Sequence, residues 1–185
     1  LDAPAARLSA MQSLWTGTGG GEASYARQVL TAAAAARVAP SKDLEADAPA
    51  LIASMLSAGY DTNALAWSSI VPSGSAGWGL LTLAAPGRIR AVDTSAVDTY
   101  YGADESRNKR RSAFLVAGLA GLERIDQGAA SRYSNDWGMQ LDSATHFTKA
   151  IDAAATAGDA ASVALLAGLG MQGSSWQRMT PRYLY

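Results

Sequence analysis

The chain of 185 residues has no cysteine, two phenylalanines and a single histidine. Without cysteine there are no disulfides, no thiolate metal sites and no cysteine nucleophile, and both cytoplasm and periplasm stay open as compartments. Any imidazole chemistry must pass through His146, and a zinc site would have to draw its remaining ligands from carboxylates alone. No His-x-x-x-His spacing exists, so no metal is assigned. Asp142, four residues before His146, either holds the ring or pairs with it at a helix surface. The plainer reading is a surface or partly buried histidine.

Net charge is also missing. A balance of -1 and an isoelectric point near 5.8 give no general field for nucleic acid or an anionic membrane. No apolar run approaches the roughly 18 residues of a membrane span, since 113–122 and 163–171 are short and rich in glycine and alanine. Catalytic signatures fail too. Gly74-Ser75-Ala76-Gly77 is one residue short of a Gly-x-Ser-x-Gly elbow, and the glycine clusters at 17–21 and 168–173 lack the Gly-Lys-Ser/Thr ending of a phosphate loop. Glu105, Glu123, Asp136 and Asp142 show no spacing that selects a pair for glycoside cleavage. No catalytic residue and no cofactor are therefore assigned.

What is present points to helices. Half of the chain is hydrophobic (49%), enough for one domain over residues 1–185, and alanine, the best helix former, supplies about a fifth of it. Small side chains let helices approach closely, so the core is expected to be thin and filled at intervals by Leu, Ile, Met and Trp. The start at Leu1 and the end on Tyr183-Leu184-Tyr185 read as a piece of a longer protein, which leaves the compartment open.

Apolar spacing predicts helices over 4–15, 22–38 and from Ser41 to Gly59, a short one from Asp61, and an apolar piece over 78–84. Residues 86–104 read as a long connection, with a brief strand at 88–92 as one option. Asp104 or Ser106 then caps a helix through Phe114 and Leu119 toward Ile125. Further helices are expected over 127–135, 143–157 and 160–169, followed by an aromatic segment from Trp176.

An echo runs through this pattern. Ala58-Gly59 precedes Trp78, Ala117-Gly118 precedes Trp137 and Ala157-Gly158 precedes Trp176, at gaps of 19, 19 and 18 residues from the glycine. It suggests an all-α architecture of stacked antiparallel helical hairpins, α-solenoid-like, with an irregular compact helical bundle as the alternative. Tetratricopeptide-type repeats share such an architecture, but their Trp, Leu-Gly and Tyr signature does not occur here at its spacing, so no family is assigned.

Candidate binding residues fall in two sets. Arg107, Arg110 and Arg111 belong to the run 107–111, whose members would spread around a full helical turn and leave Arg107 with Arg110 or Arg111 as one face. A solvated first turn is the plain reading; phosphate or an acidic protein is the functional one, and the lack of a long basic stripe argues against nucleic acid. Tyr100, Tyr101, Tyr133 and Trp137 form the aromatic set, with Tyr133 and Trp137 four residues apart. The leading expectation is a module that binds a protein or peptide on the concave face of its hairpins. The alternatives are a cell-envelope or polysaccharide-associated domain that stacks sugars on these rings, and a structural region that forms homo-oligomers.

Overall fold

A computed structural model describes residues 4–17, 21–84, 91–138 and 146–172. The chain is all-α, and among these residues there are ten α-helices and no strand. They are α1 (Pro4–Trp15), α2 (Gly21–Ala35), α3 (Ala48–Ser57), α4 (Asp61–Leu65), α5 (Ala76–Ala84), α6 (Thr94–Ala103), α7 (Arg110–Gly121), α8 (Gln127–Asp136), α9 (His146–Thr156) and α10 (Ala160–Gln172). Among these residues no helix is long and apolar enough to cross a membrane.

Aspartates start the helices. Asp93 accepts the Ser95 amide at 2.9 Å to open α6, Asp126 accepts Ala129 at 2.7 Å to open α8, and Asp159 accepts Ser162 at 3.0 Å in the first turn of α10. Each carboxylate satisfies an amide that has no partner within its own helix, and it lies at the positive end of the helix dipole. The hydrogen bonds to the serines hold the Asp93 and Asp159 carboxyls below the usual carboxylate range.

Helix endings locate the echo. At α3, Tyr60 N–H reaches Met55 C=O at 3.0 Å across Gly59 (φ +77); at α9, Asp159 N–H reaches Ala154 C=O at 2.9 Å across Gly158 (φ +71). Both are left-handed closures that glycine adopts without a Cβ penalty. The same closure ends α7, where Arg124 N–H reaches Leu119 C=O at 2.8 Å, but the left-handed residue is Glu123 (φ 55) rather than Gly118. The middle copy of the echo is thus misplaced. Gly118 lies inside α7, and that helix stops at Gly121 short of Ile125. Trp78 sits within α5 and Trp137 at the C-cap of α8, so these two indoles do not occupy matching positions, and Trp176 lies outside the described residues.

Gly118 has a packing role. A Cβ there would stand 2.5 Å from Ala167 Cβ and 2.6 Å from Leu83 Cδ2, so α7 meets α10 and α5 with no room for a methyl. Gly170 of α10 lies equally close to the Phe114 ring, at 2.3 Å from a Cβ position. The expected thin, small-residue core is realised at this crossing, with Leu83, Leu115, Leu119, Ile151 and Val163 buried around it. Besides α5 and α10, α7 touches α6, α8 and α9, while α1, α2 and α3 pack in sequence and α3 reaches α5. α10 also closes back onto α5, so contacts extend beyond neighbouring hairpins.

A relay of polar side chains ties the first three helices. Trp15 Nε1 donates to Thr31 Oγ1 at 2.8 Å, Thr31 and Ser54 hydroxyls lie 3.0 Å apart, and Ser54 Oγ donates to Gln28 C=O at 2.8 Å. Thr31 and Ser54 are buried, so these bonds offset the cost of removing their hydroxyls from water.

The connection expected over 86–104 is corrected in its second half. Asp93 nucleates α6 there, and Ala96, Val97 and Tyr100 bury one face of it. Residues 85–90, which carry most of the optional strand, lie outside the described residues; Ala91 and Val92 are not in a strand. Val92 N–H instead donates to Arg124 C=O at 2.8 Å.

Candidate functional site

The aromatic set separates by depth. Tyr100 faces the core from α6 at 5% exposure, beside Gly79 of α5 and Met171 of α10. Burial pushes its hydroxyl well above the usual tyrosine range, and the negative charge of Asp104 pushes the same way. Tyr101 points to the other side and stacks on Trp137, with ring centroids 3.9 Å apart and planes inclined by 14°. Trp137 in turn meets Tyr133, the residue four before it, at 4.2 Å and 38°. Tyr133 is fully buried and donates its hydroxyl to Thr94 C=O at 3.0 Å. Burial raises its pKa, and the charge of Asp98 adds to the effect.

Cations close both ends of this ladder. Lys109 Nζ lies 5.1 Å from the Tyr101 centroid and the Arg132 guanidinium 4.4 Å from that of Tyr133. Lys109 also donates to Tyr101 C=O at 3.0 Å, near the negative end of the α6 dipole. The rings therefore stack on one another and fasten α6 to α8. Lys109 entered the sequence reading only as a member of the run 107–111, and Arg132, which immediately precedes Tyr133, did not enter it.

The basic run does not form one helix. Asn108 (φ 56) and Lys109 (φ 52) are left-handed, so Arg107 lies in a 3-10 turn and α7 begins at Arg110. The single helical face expected for Arg107 with Arg110 or Arg111 is corrected accordingly: Arg107 and Arg111 are exposed, and Arg110 is half-buried. The turn exists because Asp104 and Ser106 both cap α7. Asp104 accepts Ser112 N–H at 2.8 Å and Ser112 Oγ at 2.7 Å on one oxygen and Ser106 N–H at 2.8 Å on the other, while Ser106 Oγ accepts Arg111 N–H at 3.0 Å. Burial acts to raise the Asp104 pKa, but the bonds from Ser106 and Ser112 together outweigh it and hold the carboxyl below its ordinary range. For Arg110, burial and the adjacent Arg111 lower the pKa against the pull of Asp104.

A groove of about 510 Å³ lies elsewhere, between α3, α5 and α10. Its α10 wall is Ala160, Ala161, Ala164, Leu165, Gly168 and Leu169, and Ala53, Leu56, Leu80 and Leu83 line it from α3 and α5. Tyr25 of α2 stands at the rim and donates its hydroxyl to Ser57 C=O at 3.2 Å. Asp61 and Arg124 are the charged residues of the lining. The Arg124 guanidinium donates to Thr82 C=O and, at 2.9 Å, to Leu83 C=O, which caps the end of α5. Burial lowers its pKa.

The signal for this groove was in the sequence as a doubling of the apolar pattern. Val163, Ala167 and Met171 are the buried side of α10, yet the adjoining flank at 160, 161, 164, 165, 168 and 169 is also apolar. Among the described residues no cluster of three or more histidines and carboxylates is placed to hold a metal. Asp142 and the side chain of His146 lie outside the described residues, as do Tyr183 and Tyr185. No protein-family model, no curated protein and no solved structure matches the chain.

Proposed function

We propose that this chain is a protein-interaction module whose groove between α3, α5 and α10 receives an apolar helical segment of a protein partner. The observation that supports it is an open trough lined by alanine, glycine and leucine, beside side chains that a monomer gains nothing by exposing. Leu165 is 54% exposed on the α10 wall and Tyr25 39% exposed at the rim. The volume falls within the range of ligand sites, and the small residues let an incoming backbone approach closely. From Ala160 to Leu169 the wall runs about 14 Å at the rise of an α-helix, which matches two to three turns of a docked helix. The ladder of Tyr101, Trp137 and Tyr133 serves the fold in this reading, because its rings already contact each other.

The test is selection of binders from a displayed library of random peptides against the whole chain. The expected binders are amphipathic helices whose affinity falls at least about tenfold on Ala164→Glu and is unchanged by Arg107→Ala with Arg111→Ala. Binders that ignore Ala164→Glu and are lost with the two arginines would move the docking site to the basic turn and end the groove reading.

A further inference from the structure

We infer that the basic turn from Arg107 to Arg111 docks an acidic, carboxylate-bearing segment of another protein, at a surface independent of the groove. The bases at 107, 109, 110 and 111 outnumber Asp104 and Glu105, so this stretch is positive in a chain whose net charge is -1. The remainder of the molecule is therefore negative, and an acidic segment is steered to this turn. Its cations are not neutralised from within. The Asp104 carboxylate is committed to Ser106 and Ser112, and neither the Arg107 nor the Arg111 guanidinium has a hydrogen-bond or ion-pair partner among the described residues. Both of these arginines are exposed.

Geometry selects among anions. The left-handed step at Asn108 and Lys109 sets Arg107 apart from the helix that carries Arg111, so the two do not share a helical face. A single phosphate would need both to converge on it, whereas separated guanidinia suit carboxylates spaced along a chain, each held by two parallel N–H···O bonds. Nucleic acid calls for a longer basic stripe, and here Lys109 is already engaged with the Tyr101 carbonyl and ring while Arg110 is half-buried. The turn is also presented rigidly. Asp104 and Ser106 hold the amides of Ser112 and Arg111, and Lys109 ties the turn to the Tyr101–Trp137 stack, so docking orders no backbone. With those amides already bonded, recognition falls to the side chains.

Fluorescence anisotropy of a labelled peptide in which glutamate alternates with glycine, titrated with the whole chain, tests the proposal beside the same peptide carrying glutamine for glutamate. The glutamate peptide should bind at least about tenfold more tightly and weaken as salt rises from about 50 to 300 mM. Arg107→Ala with Arg111→Ala should lower its affinity at least about tenfold, whereas Arg37→Ala with Lys149→Ala, which removes the same charge from exposed positions elsewhere, should change it by less than about twofold. Arg107→Glu with Arg111→Glu should abolish binding of the glutamate peptide and admit a lysine–glycine peptide, with an unchanged far-ultraviolet CD spectrum. Ala164→Glu in the groove should leave the glutamate peptide bound. Equal binding of the glutamine peptide, equal losses in the two double-alanine variants, or loss on Ala164→Glu overturns the proposal. So does tighter, arginine-dependent binding of inorganic pyrophosphate, duplex DNA or phosphatidylglycerol vesicles, which would make the turn a phosphate site.

Discussion

Replacing Gly118 with alanine sets helix propensity against packing at one position. In an unconstrained helix interior the change gains about 1 kcal/mol, because alanine loses less backbone entropy on folding. Here the new Cβ would lie 2.5 Å from Ala167 Cβ and 2.6 Å from Leu83 Cδ2, where carbon atoms normally rest about 3.5–4.0 Å apart. Leu83 can turn only within a buried environment, at 2% exposure, and Ala167 has no rotamer to change. The helices themselves must separate. Overpacking of this kind costs about 1–3 kcal/mol, and with no side chain free to yield the upper half of that range applies, so after the propensity gain the net loss is about 1–2 kcal/mol. For a chain of this length that corresponds to a fall of about 2–8 °C in Tm. Urea titration followed by far-ultraviolet CD should show a lower midpoint at an unchanged slope. Gly102 of α6, which has nothing within 4 Å of its Cβ position, is the control. Gly102→Ala should stabilise by about 0.5 kcal/mol. Adding Ala167→Gly to Gly118→Ala should recover part of the loss as a coupling above about 0.5 kcal/mol. If Gly118→Ala raises stability as the control does, the close crossing of α7 and α10 is wrong.

Glu123 holds a left-handed conformation that glycine takes without strain, so Glu123→Gly should stabilise by about 0.5–1 kcal/mol while Glu123→Ala should not; chemical denaturation separates the two. Equal effects of the two changes would remove backbone strain as the explanation. Asp104→Asn replaces an acceptor of three hydrogen bonds with a group that places an amide against donors, and should cost about 1–2 kcal/mol at neutral pH. The folded carboxyl titrates below its unfolded value of about 3.9, so its contribution is complete above that pH and is lost as pH falls through the folded pKa. The gap between the two proteins should therefore narrow as pH falls below the unfolded value of about 3.9 and close below the folded pKa; a constant gap would show that Asp104 acts through shape alone.

The elements legible in the sequence were those that local chemistry determines. Pro4 and the spacing of Leu8, Met11 and Trp15 marked α1 at both ends, Asp61 marked the start of α4, and the helix expected over 127–135 matches α8 to within one residue. Asp104 and Ser106 were read as rival caps of α7, and both act, because the loop between them folds back so that one serves Ser112 and the other Arg111. That arrangement turns the basic run into a left-handed step, which no local pattern encodes: nothing about Asn108 and Lys109 as residue types requires a positive φ. α6 was missed for a related reason. Its segment, Thr94–Ala103, carries three β-branched residues, a glycine and two adjacent tyrosines, so its helical propensity is modest. Burial of Val97 and Tyr100, together with the Asp93 cap, outweighs that deficit.

The echo of Ala-Gly steps failed at its middle copy for a reason that also explains the candidate site. A glycine in an alanine-rich chain has two unrelated uses, closing a helix in the left-handed region and clearing space for a neighbouring helix, and the dipeptide alone does not distinguish them. Gly59 and Gly158 do the first, whereas Gly118 does the second against Ala167. The neighbour that Gly118 admits is α10, and the flank of that helix beside the crossing forms the wall of the groove. A helix buried on one side normally turns charge outward. Among the outward residues from Ala160 to Leu169 there is none, and the aspartate that caps the helix lies before its first turn. The structural requirement for a tight crossing accounts for small residues on the inner side, but it places no demand on Ala161, Ala164 or Leu165. Their apolarity agrees with the proposed docking of a partner helix in the groove.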